Sequence, residues 1–416
     1  MDHNTFLLQH CKELIGLWQD NISKIPAHRV AREYFQKKRH LGSKDRRFIS
    51  KIFWEDVRKT RLIENVGEKL EKDTDRAAFH TILTYIHLNK DQSQRPEDEL
   101  LADIYDTLID NLEKFALSDK IEDAYPEWFT KYLSSYLNPK EKEETLNYLS
   151  KESGLHLRIN THKCNKEKLL KEMPNLTVGT IAKGAFRHSG RIHLESEQAY
   201  RNGWIEVQDE SSQLISHLAN PKEDFIVVDA AAGGGGKSLH LSALMHNKGK
   251  ILASDISLDK LAELRKRAKR SGCKNIQTLS IKDLFRNYTG KADLLLIDAP
   301  CSGSGTIRRQ PDILHRQNFK NLKKFIFMQR SLLEDYEKLL KPGGILIYAT
   351  CSLNPYENQK QIEGFLKKHS NYTLENAVET LNKQGMKIQE QLPPYLLILP
   401  QMFDSDGFFA ARLRKK

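Results

Sequence analysis

The sequence predicts an α/β protein in which a parallel sheet, covered by helices on both faces, occupies residues 221–416. There, short apolar segments such as FIVVDA and ADLLLIDAP alternate with amphipathic helical segments, which is the pattern of successive βαβ units. In residues 1–120, by contrast, apolar residues recur at helical spacing, which predicts an all-helical domain. Residues 121–220 mix strand-like segments such as LHLRINT with short helices and predict a small α+β domain.

The composition is that of a soluble protein. Apolar residues make up 39% of the 416 residues, and no run reaches the roughly 18 apolar residues that a membrane helix needs. The first residues, MDHNTFLLQH, begin an amphipathic helix rather than the basic start and long apolar stretch of a signal peptide. We therefore expect a cytoplasmic protein, a monomer, with no membrane partner.

The charge favours a polyanionic partner. The net charge is +11 and the isoelectric point is about 9.2. Neutralising phosphates with Lys and Arg releases counterions, so RNA is a partner that fits this charge, although a solvated basic surface is the alternative. The basic run HRVAREYFQKKRHLGSKDRRFISK in the helical domain is open to the same two interpretations, RNA contact or the wet face of a helix bundle.

The five cysteines do not form a disulfide framework, because they are odd in number and widely spaced: Cys11, Cys164, Cys273, Cys301 and Cys351. No C-x-x-C occurs, and no His and Cys pair has the spacing of a zinc site. We expect no metal.

A glycine-rich loop joins the first strand of the parallel sheet to its helix. Gly236, Lys237 and Ser238 match the end of a phosphate-binding P-loop, but Ala231 stands where that motif needs its first glycine. The G-x-G-x-x-G set of a dinucleotide fold is also absent.

Two acids follow the next strands of the sheet. Asp255 ends the second strand, at about the distance where a carboxylate accepts hydrogen bonds from ribose hydroxyls, and Asp283 follows the third strand. A glycine loop and two acids without a phosphate motif suit a phosphate-free nucleoside such as S-adenosylmethionine, with Asp255 on the ribose and Asp283 on the adenine edge. Either acid alone could instead cap a helix.

Cys301 and Cys351 each come directly after an apolar strand, in the segments LLLIDAPCSGSG and GGILIYATCSLNPYEN. Ligands bind beyond the carboxyl ends of parallel strands, so both thiols should lie on the ligand side of the sheet. Either could be a small buried hydrophobe, or the two could form a redox pair. A thiolate can also add to C6 of cytosine, which makes C5 nucleophilic and asks for a carboxyl group near N3.

The sequence resembles the RNA cytosine-5 methyltransferases, and within them the bacterial enzymes of small-subunit ribosomal RNA. The resemblance lies in the segments DAPCSGSGTIRRQPD, YATCSLNPYEN, VQDESSQ and DGFFAARL. It is strong over about 200–416, moderate over 121–200 and weak over the helical region. It implies a Rossmann-like S-adenosylmethionine-dependent methyltransferase domain at 221–416, preceded by a small RRM-like domain at 121–220 and a helical domain at 1–120 that is a candidate for RNA binding.

The resemblance also implies roles for individual residues. Cys351 corresponds to the nucleophile, Cys301 to the thiol that assists release of the methylated RNA, and Asp298 to the acid that contacts cytosine beside the methyl donor. Lys237 is expected to pair with a carboxylate or with the methionine end of the cofactor. The implied cofactor contacts are Ala231, Ala232, Gly233, Gly234, Gly235, Gly236, Lys237, Asp255, Asp283 and Asp298.

Two features near the site are open to more than one interpretation. Arg308 and Arg309 either grip RNA phosphates or are ordinary surface arginines, and with Lys237 they are candidates for lowering a thiol pKa. The loop departs from the family's Cys-Ala-Ala-Pro-Gly-Gly-Lys, with Ala231 in place of cysteine and Gly234 in place of proline. We expect weaker cofactor affinity at most, because a more flexible loop loses more entropy on ordering.

Three rivals to a ribosomal RNA cytosine-C5 methyltransferase remain. A transfer-RNA methyltransferase of the same family would carry the same motifs. A DNA cytosine methyltransferase would take its nucleophile from the Pro-Cys motif, at Cys301. A non-catalytic RNA-binding ribosome assembly factor would keep the fold without the methyl transfer.

Overall fold

The chain divides into two compact units in a computed structural model that describes residues 2–68, 74–89, 92–190, 192–389 and 394–416. One unit comprises residues 1–150 together with 309–318, and the other comprises 151–308 together with 319–416. The division departs from the predicted boundaries at 120 and 220, because two helices after residue 120 belong to the helical unit. The small sheet and the large sheet lie in one unit.

The helical unit packs its amphipathic helices around a shared apolar core that includes Leu8, Trp18, Phe53 and Phe79. Its helices are α1 His3–Gln19, α2 Ala27–Lys37, α3 Ser43–Gly67, α4 Arg76–Asn89, α5 Glu99–Asp110, α6 Glu127–Ser134, α7 Pro139–Leu149 and, in the 309–318 segment, α14 Ile313–Arg316. Among the described residues, no helix combines the length and apolar character that crossing a membrane requires.

The segment 309–318 is held in the helical unit by specific contacts. Asp312 Oδ2 accepts a hydrogen bond from the Ala27 N–H at the start of α2, at 3.1 Å. The imidazole of His315 is bonded to the Val57 carbonyl at 3.2 Å and stands edge-on to the Trp18 ring. The end of the motif that carries Cys301, together with the residues directly after it, therefore belongs to the helical unit.

The small α+β region forms a four-stranded antiparallel sheet in the order β2-β3-β1-β4. Its elements are β1 Leu155–Ile159, α8 Lys166–Glu172, β2 Leu176–Val178, β3 Ala185–His188, α9 Gln198–Arg201 and β4 Ile205–Val207. This β-α-β-β-α-β order is that of ferredoxin-like units. Leu157, Phe186 and Ile205 fill its core.

The large sheet has the order β10-β12-β9-β8-β5-β6-β7, with β11 paired to β12. Its strands are β5 Ile226–Asp229, β6 Lys250–Ala253, β7 Ile276–Thr278, β8 Ala292–Asp298, β9 Leu340–Thr350, β10 Tyr372–Glu375, β11 Leu396–Ile398 and β12 Phe408–Lys415. The helices around it are α10 Glu210–Ala219, α11 Gly236–Leu244, α12 Leu258–Ser271, α13 Ile281–Tyr288, α15 Phe319–Tyr336, α16 Gln359–Lys368, α17 Ala377–Asn382 and α18 Pro400–Phe403.

Five of these strands, from β7 to β9, are parallel, as the βαβ pattern predicts. Val227, Val228 and the run 294–297 are fully buried, which is typical of parallel strands covered on both faces. β12 runs antiparallel to β9, an arrangement that the alternation of strands and helices did not predict. The strand order reverses between β5 and β8, and at such a point a ligand crevice opens at the carboxyl ends of the strands.

Candidate active site

The two predicted thiols meet at the carboxyl edge of the large sheet. β8 and β9 are parallel neighbours with Asp298 opposite Ala349, so the loops that leave them start side by side. Cys301 and Cys351 follow within three residues, are both half-buried, and have their sulfurs 3.4 Å apart. The fold thus brings together two side chains that are 50 positions apart in the sequence.

The backbone of the two cysteine loops is tightly packed. The Gly305 N–H donates to the Cys351 carbonyl at 2.9 Å, and the Gly407 N–H before β12 donates to the Gly305 carbonyl at 2.8 Å. A Cβ atom at Gly305 would lie 2.1 Å from the Gly407 oxygen, so only glycine fits there. The segment DGFFAARL therefore packs against the Cys301 loop through Gly407 and supports it.

Glu357 joins the two cysteine loops, a role that was not predicted from the sequence. Its carboxylate is fully buried and accepts hydrogen bonds from the Ser302 N–H at 2.8 Å, the Ser352 hydroxyl at 2.6 Å and the Gln329 amide at 3.1 Å. Gln329, on α15, also donates to the Pro300 carbonyl at 2.8 Å. The only signal in the sequence is the acid of the segment NPYEN, and no local pattern says that it is buried.

Cys301 is kept protonated by its surroundings. Its hydrogen bond with Cys351, followed by burial and by the charges of Cys351 and Glu357, raises the pKa of the Cys301 thiol well above its ordinary value. A thiol is a poor nucleophile beside a thiolate. A protonated Cys301 thiol can donate a hydrogen bond to the Cys351 sulfur beside it.

Asp298 and Lys237 form an ion pair next to the thiols. Lys237 Nζ lies 2.5 Å from Asp298 Oδ2 and 4.9 Å from the centre of the Phe408 ring. Behind them, burial raises the pKa of Asp229 to about 7, the nearby charge of Asp298 acts in the same direction, and a hydrogen bond from Ser238 opposes it. The site therefore holds two carboxyl groups around one ammonium group.

The glycine loop has the shape of a ligand cradle. Gly233 and Gly235 have φ angles of +53° and +84°, and a Cβ at Gly235 would lie 2.5 Å from Leu264 Cγ. At Gly233 and Gly236 an added Cβ would meet nothing within 4 Å, so that side of the loop faces open space. A ligand can approach this backbone closely.

Asp255 anchors the loop and borders the same space. Its two carboxylate oxygens accept the N–H groups of Gly233 and Ser257, each at 2.8 Å, and a carboxylate has further lone pairs for a ribose hydroxyl. Ile256, beside it, is 83% exposed, and Leu258 is also exposed. Exposed apolar side chains next to a carboxylate that can accept from ribose hydroxyls suit a nucleobase, so these residues fit S-adenosylmethionine. Neither apolar residue was predicted from the sequence to lie at the site.

Arg267 on α12 braces the loop at the position where the family's proline is missing. Its Nη1 donates to the Gly234 carbonyl at 2.7 Å, and its Nη2 lies 2.9 Å from the buried carboxylate of Glu206 on β4. Burial opposes ionisation of Glu206, but Arg267 and Arg270 together hold the pKa of Glu206 below its ordinary value. The small sheet thus supports the cofactor loop through one arginine.

Asp283 makes the contact of a helix cap. The Ser280 hydroxyl donates to Asp283 Oδ2 at 2.7 Å and accepts from the Asp283 N–H at 3.1 Å. These two bonds cap the N-terminus of α13. This is the alternative role that the sequence left open for this acid. A contact with adenine stays a prediction.

The two arginines after Cys301 differ in placement. Arg308 is only 4% exposed, and its Nη2 donates to Asp404 Oδ1 at 2.7 Å and to the Glu152 carbonyl at 3.0 Å. This placement does not favour Arg308 as a phosphate contact, whereas Arg309 is exposed. In the described part of the chain, no group of three or more His, Cys, Asp and Glu side chains is arranged to hold a metal ion.

Comparison with known sequences supports the resemblance. A family model described as 16S rRNA methyltransferase RsmB/F matches residues 216–414. The chain is 29% identical over 372 residues to a probable ribosomal RNA small subunit methyltransferase B of Bacillus subtilis, covering 84% of this chain and 80% of that protein. It is 31% identical over 311 residues to the corresponding protein of Synechocystis sp., covering 73% of this chain and 69% of that protein.

Comparison with solved structures supports the fold. The crystal structure of PH0851 superposes with a TM-score of 0.80 at 26% identity, over 100% of both chains. A methyltransferase homolog protein from Pyrococcus horikoshii gives a TM-score of 0.60 at 28% identity, over 72% of this chain and 100% of that one. NSun6 from Pyrococcus horikoshii, solved with SFG, gives 0.62 at 21% identity, over 70% of this chain and 98% of that one, and shows the fold alone.

The thiol pair, the glycine cradle and the similar sequences and structures all indicate a methyltransferase. The large sheet is a Rossmann-like S-adenosylmethionine-dependent methyltransferase fold, with the cradle and Asp255 at its carboxyl edge. The chain therefore belongs to the RsmB/F family of 16S rRNA methyltransferases, enzymes whose methyl donor is S-adenosylmethionine.

Proposed function

We propose that the protein methylates C5 of a cytosine in small-subunit ribosomal RNA through a transient covalent bond between Cys351 and C6 of the base. The observation that carries this proposal is the pair of sulfurs 3.4 Å apart at the carboxyl edge of the sheet, beside Asp298. One thiol kept protonated next to a second sulfur suits a reaction that needs one nucleophile and one assisting group.

Each residue has one task in the reaction. The Cys351 thiolate bonds to C6, and the displaced electron pair moves toward N3. The carboxyl group of Asp298 donates the proton that N3 takes and accepts it back after methyl transfer. Lys237, paired with Asp298, supplies positive charge at the same edge. The addition makes C5 nucleophilic. S-adenosylmethionine supplies, when bound, an electrophilic methyl group, and the glycine cradle with Asp255 holds it.

Release reverses the addition. A base removes the proton on C5, the electron pair restores the C5–C6 double bond, and the bond between C6 and Cys351 breaks to return the thiolate. We assign Cys301 to this step because its protonated thiol hydrogen-bonds to the leaving sulfur. The target base must leave its stack to reach the thiols, which costs least in single-stranded or looped RNA.

Methyl transfer can be tested directly. Purified protein with labelled S-adenosylmethionine and ribosomal RNA is expected to yield 5-methylcytosine, and bisulfite mapping of RNA from cells lacking the protein is expected to show the loss of one such position. Methylation of transfer RNA instead would assign the rival substrate. Tight RNA binding without any methyl transfer would identify an assembly factor and overturn the proposal.

Cys301→Ala is expected to trap RNA on the protein, because addition proceeds while release is impaired. The covalent complex should appear as a slowly migrating, protease-sensitive band on a denaturing gel after incubation with RNA and S-adenosylmethionine. The double variant Cys301→Ala/Cys351→Ala should show no such band. A trapped complex with Cys351→Ala alone would exchange the roles of the two sulfurs.

Arg267→Ala is expected to weaken binding of S-adenosylmethionine about 10-fold, because the Gly234 carbonyl loses a charged donor of about 1.5 kcal/mol and the loop becomes freer. Titration calorimetry with S-adenosylmethionine measures the effect without RNA. Arg265→Ala is the matched control, since Arg265 is an exposed arginine on the same helix that contacts Thr278. Equal affinities of the two variants would show that the brace has no effect on the cofactor.

A further inference from the structure

The outer face of α15 exposes apolar side chains that the core does not use. Phe327 is 72% exposed, and Phe319 and Met328 are exposed as well. Tyr356, on the loop after Cys351, is 52% exposed. Large apolar side chains gathered on a surface indicate a binding partner more often than isolated ones do.

The same face is strongly basic. Lys320, Lys323, Lys324 and Arg330 are all exposed. No acidic residue occurs in the sequence between Asp312 and Glu334. The part of this face that precedes Glu334 therefore carries positive charge without an acidic residue of its own.

Helical phase separates this face from the buried one. Lys320, Lys323, Lys324 and Phe327 stand at positions i, i+3, i+4 and i+7 and share one side of α15. The buried side chains of the same helix are Leu322, Gln329, Leu333 and Tyr336. The cations and the aromatic ring thus form one continuous stripe on the outside of the helix.

Two glutamines join the helix that carries this stripe to the cysteine loops. Gln361 Nε2 donates to the Ile326 carbonyl on α15 at 3.2 Å and to the Tyr356 carbonyl at 2.9 Å, so the helix and the Tyr356 loop touch the same amide. Gln329 joins the inner side of α15 to the Pro300 carbonyl, immediately before Cys301. The helix that presents the stripe therefore also contacts both cysteine loops.

We propose that this surface, the α15 platform, docks the single-stranded RNA nucleotides next to the target cytosine. Its members are Lys320, Lys323, Lys324, Phe327, Met328, Arg330 and Tyr356. The proposal rests on the proposed function, in which RNA is the substrate. Exposed lysines neutralise phosphates, and exposed aromatic rings stack on bases of any sequence.

Charge decides between RNA and a protein partner. Lysine is depleted in the contact surfaces of protein complexes, whereas interleaved cations and aromatic rings are typical of single-strand nucleic acid sites. The platform carries three lysines and one arginine around its aromatic side chains. An RNA strand therefore matches it better than a second protein surface does.

The platform is tested by RNA binding in the absence of S-adenosylmethionine, with a fluorescein-labelled, unstructured RNA of mixed sequence as the probe. Phe327→Ala and Tyr356→Ala are each expected to raise Kd by about 5- to 100-fold, as for loss of one stacked base. Lys323→Ala/Lys324→Ala should lower the slope of log K against log salt by about 1.4, as for two phosphate contacts on a single strand.

Lys266→Ala/Lys269→Ala is the matched control, because these exposed lysines lie on α12 in the same unit and the charge change is identical. It is expected to change Kd less than the platform pair does. Equal effects of the two pairs, or none from the aromatic variants, would overturn the proposal. A change in self-association on sedimentation of Phe327→Ala, with RNA binding intact, would assign the surface to a protein partner and also overturn it.

This measurement is independent of the methyl-transfer assay. Loss of RNA affinity in the platform variants supports the platform whether or not the wild-type protein methylates the probe. If the wild-type protein methylates RNA but the variants bind RNA with unchanged affinity, the proposed function is supported and the α15 platform is contradicted. Melting temperatures should be similar throughout, because every substituted side chain is exposed.

Discussion

Cys351→Ala is expected to reduce methyl transfer to RNA by a factor on the order of 10⁴ or more, the loss typical of removing a catalytic nucleophile. Without the sulfur, C5 of cytosine is not activated, and neither Asp298 nor the bound methyl donor can replace that step. Binding of S-adenosylmethionine should be nearly unchanged, because the cradle is formed by the loop at 231–237 and by Asp255. Single-turnover transfer from labelled donor and calorimetry measure the two quantities.

The matched control is Cys164→Ala, since Cys164 is a buried cysteine in the core of the small sheet and away from the thiol pair. It should retain methyl transfer. Full activity of Cys351→Ala together with complete loss in Cys301→Ala would identify the Pro-Cys sulfur as the nucleophile. That pair of results would contradict the mechanism proposed for this chain.

Position after a strand is the feature of the site that could be predicted from the sequence. Cys301, Cys351 and Asp298 each follow or end an apolar run, and parallel strands deliver such residues to one edge. The glycine loop and Asp255 follow the same rule, and in the structure the Gly233 N–H donates a hydrogen bond to the Asp255 carboxylate. The local pattern was sufficient to predict these residues, because any residue that directly follows a parallel strand lies at the carboxyl edge of the sheet.

Partner choice inside the fold could not be predicted in this way. Glu357, Arg267 and Glu206 look like ordinary charged residues in the sequence, and their roles arise from contacts between distant segments. Adjacent Arg308 and Arg309 show the same limit, because only the fold decides which of them is buried against Asp404. Hydrophobic periodicity predicts which face of a helix or strand is apolar. It does not predict the ion-pair partner of a buried charged side chain.

The departure of the loop from its family pattern illustrates the same point. Gly234 in place of proline predicts a freer loop and, from the sequence alone, a cofactor affinity that is weaker at most. The structure adds a guanidinium on the Gly234 carbonyl, held by a buried carboxylate of the small sheet. A long-range ion pair thus offsets a local change in flexibility, so the affinity depends on Arg267 as well as on the loop.

Glu357→Ala is expected to lower kcat by about 100-fold, because loss of its carboxylate lets the two cysteine loops shift, and a displacement of about 1 Å in a reacting group has an effect of that size. It should also lower the free energy of unfolding by roughly 3 kcal/mol, since the Ser302 N–H and the Gln329 amide are left buried with one partner fewer. Steady-state kinetics and urea unfolding measure the two effects.

Glu357→Gln separates positioning from charge. The amide keeps the shape of the bridge, with its oxygen accepting from Ser302 and its nitrogen donating to the Ser352 hydroxyl, so kcat should recover most of the loss. The pKa of Cys301 should fall, because the Glu357 charge is one of the causes that raise it, and alkylation of Cys301 as a function of pH reports this shift. Equal kcat values in the Ala and Gln variants would show that the loops do not depend on this bridge for their alignment. An unchanged Cys301 alkylation profile would show that the buried carboxylate does not keep that thiol protonated.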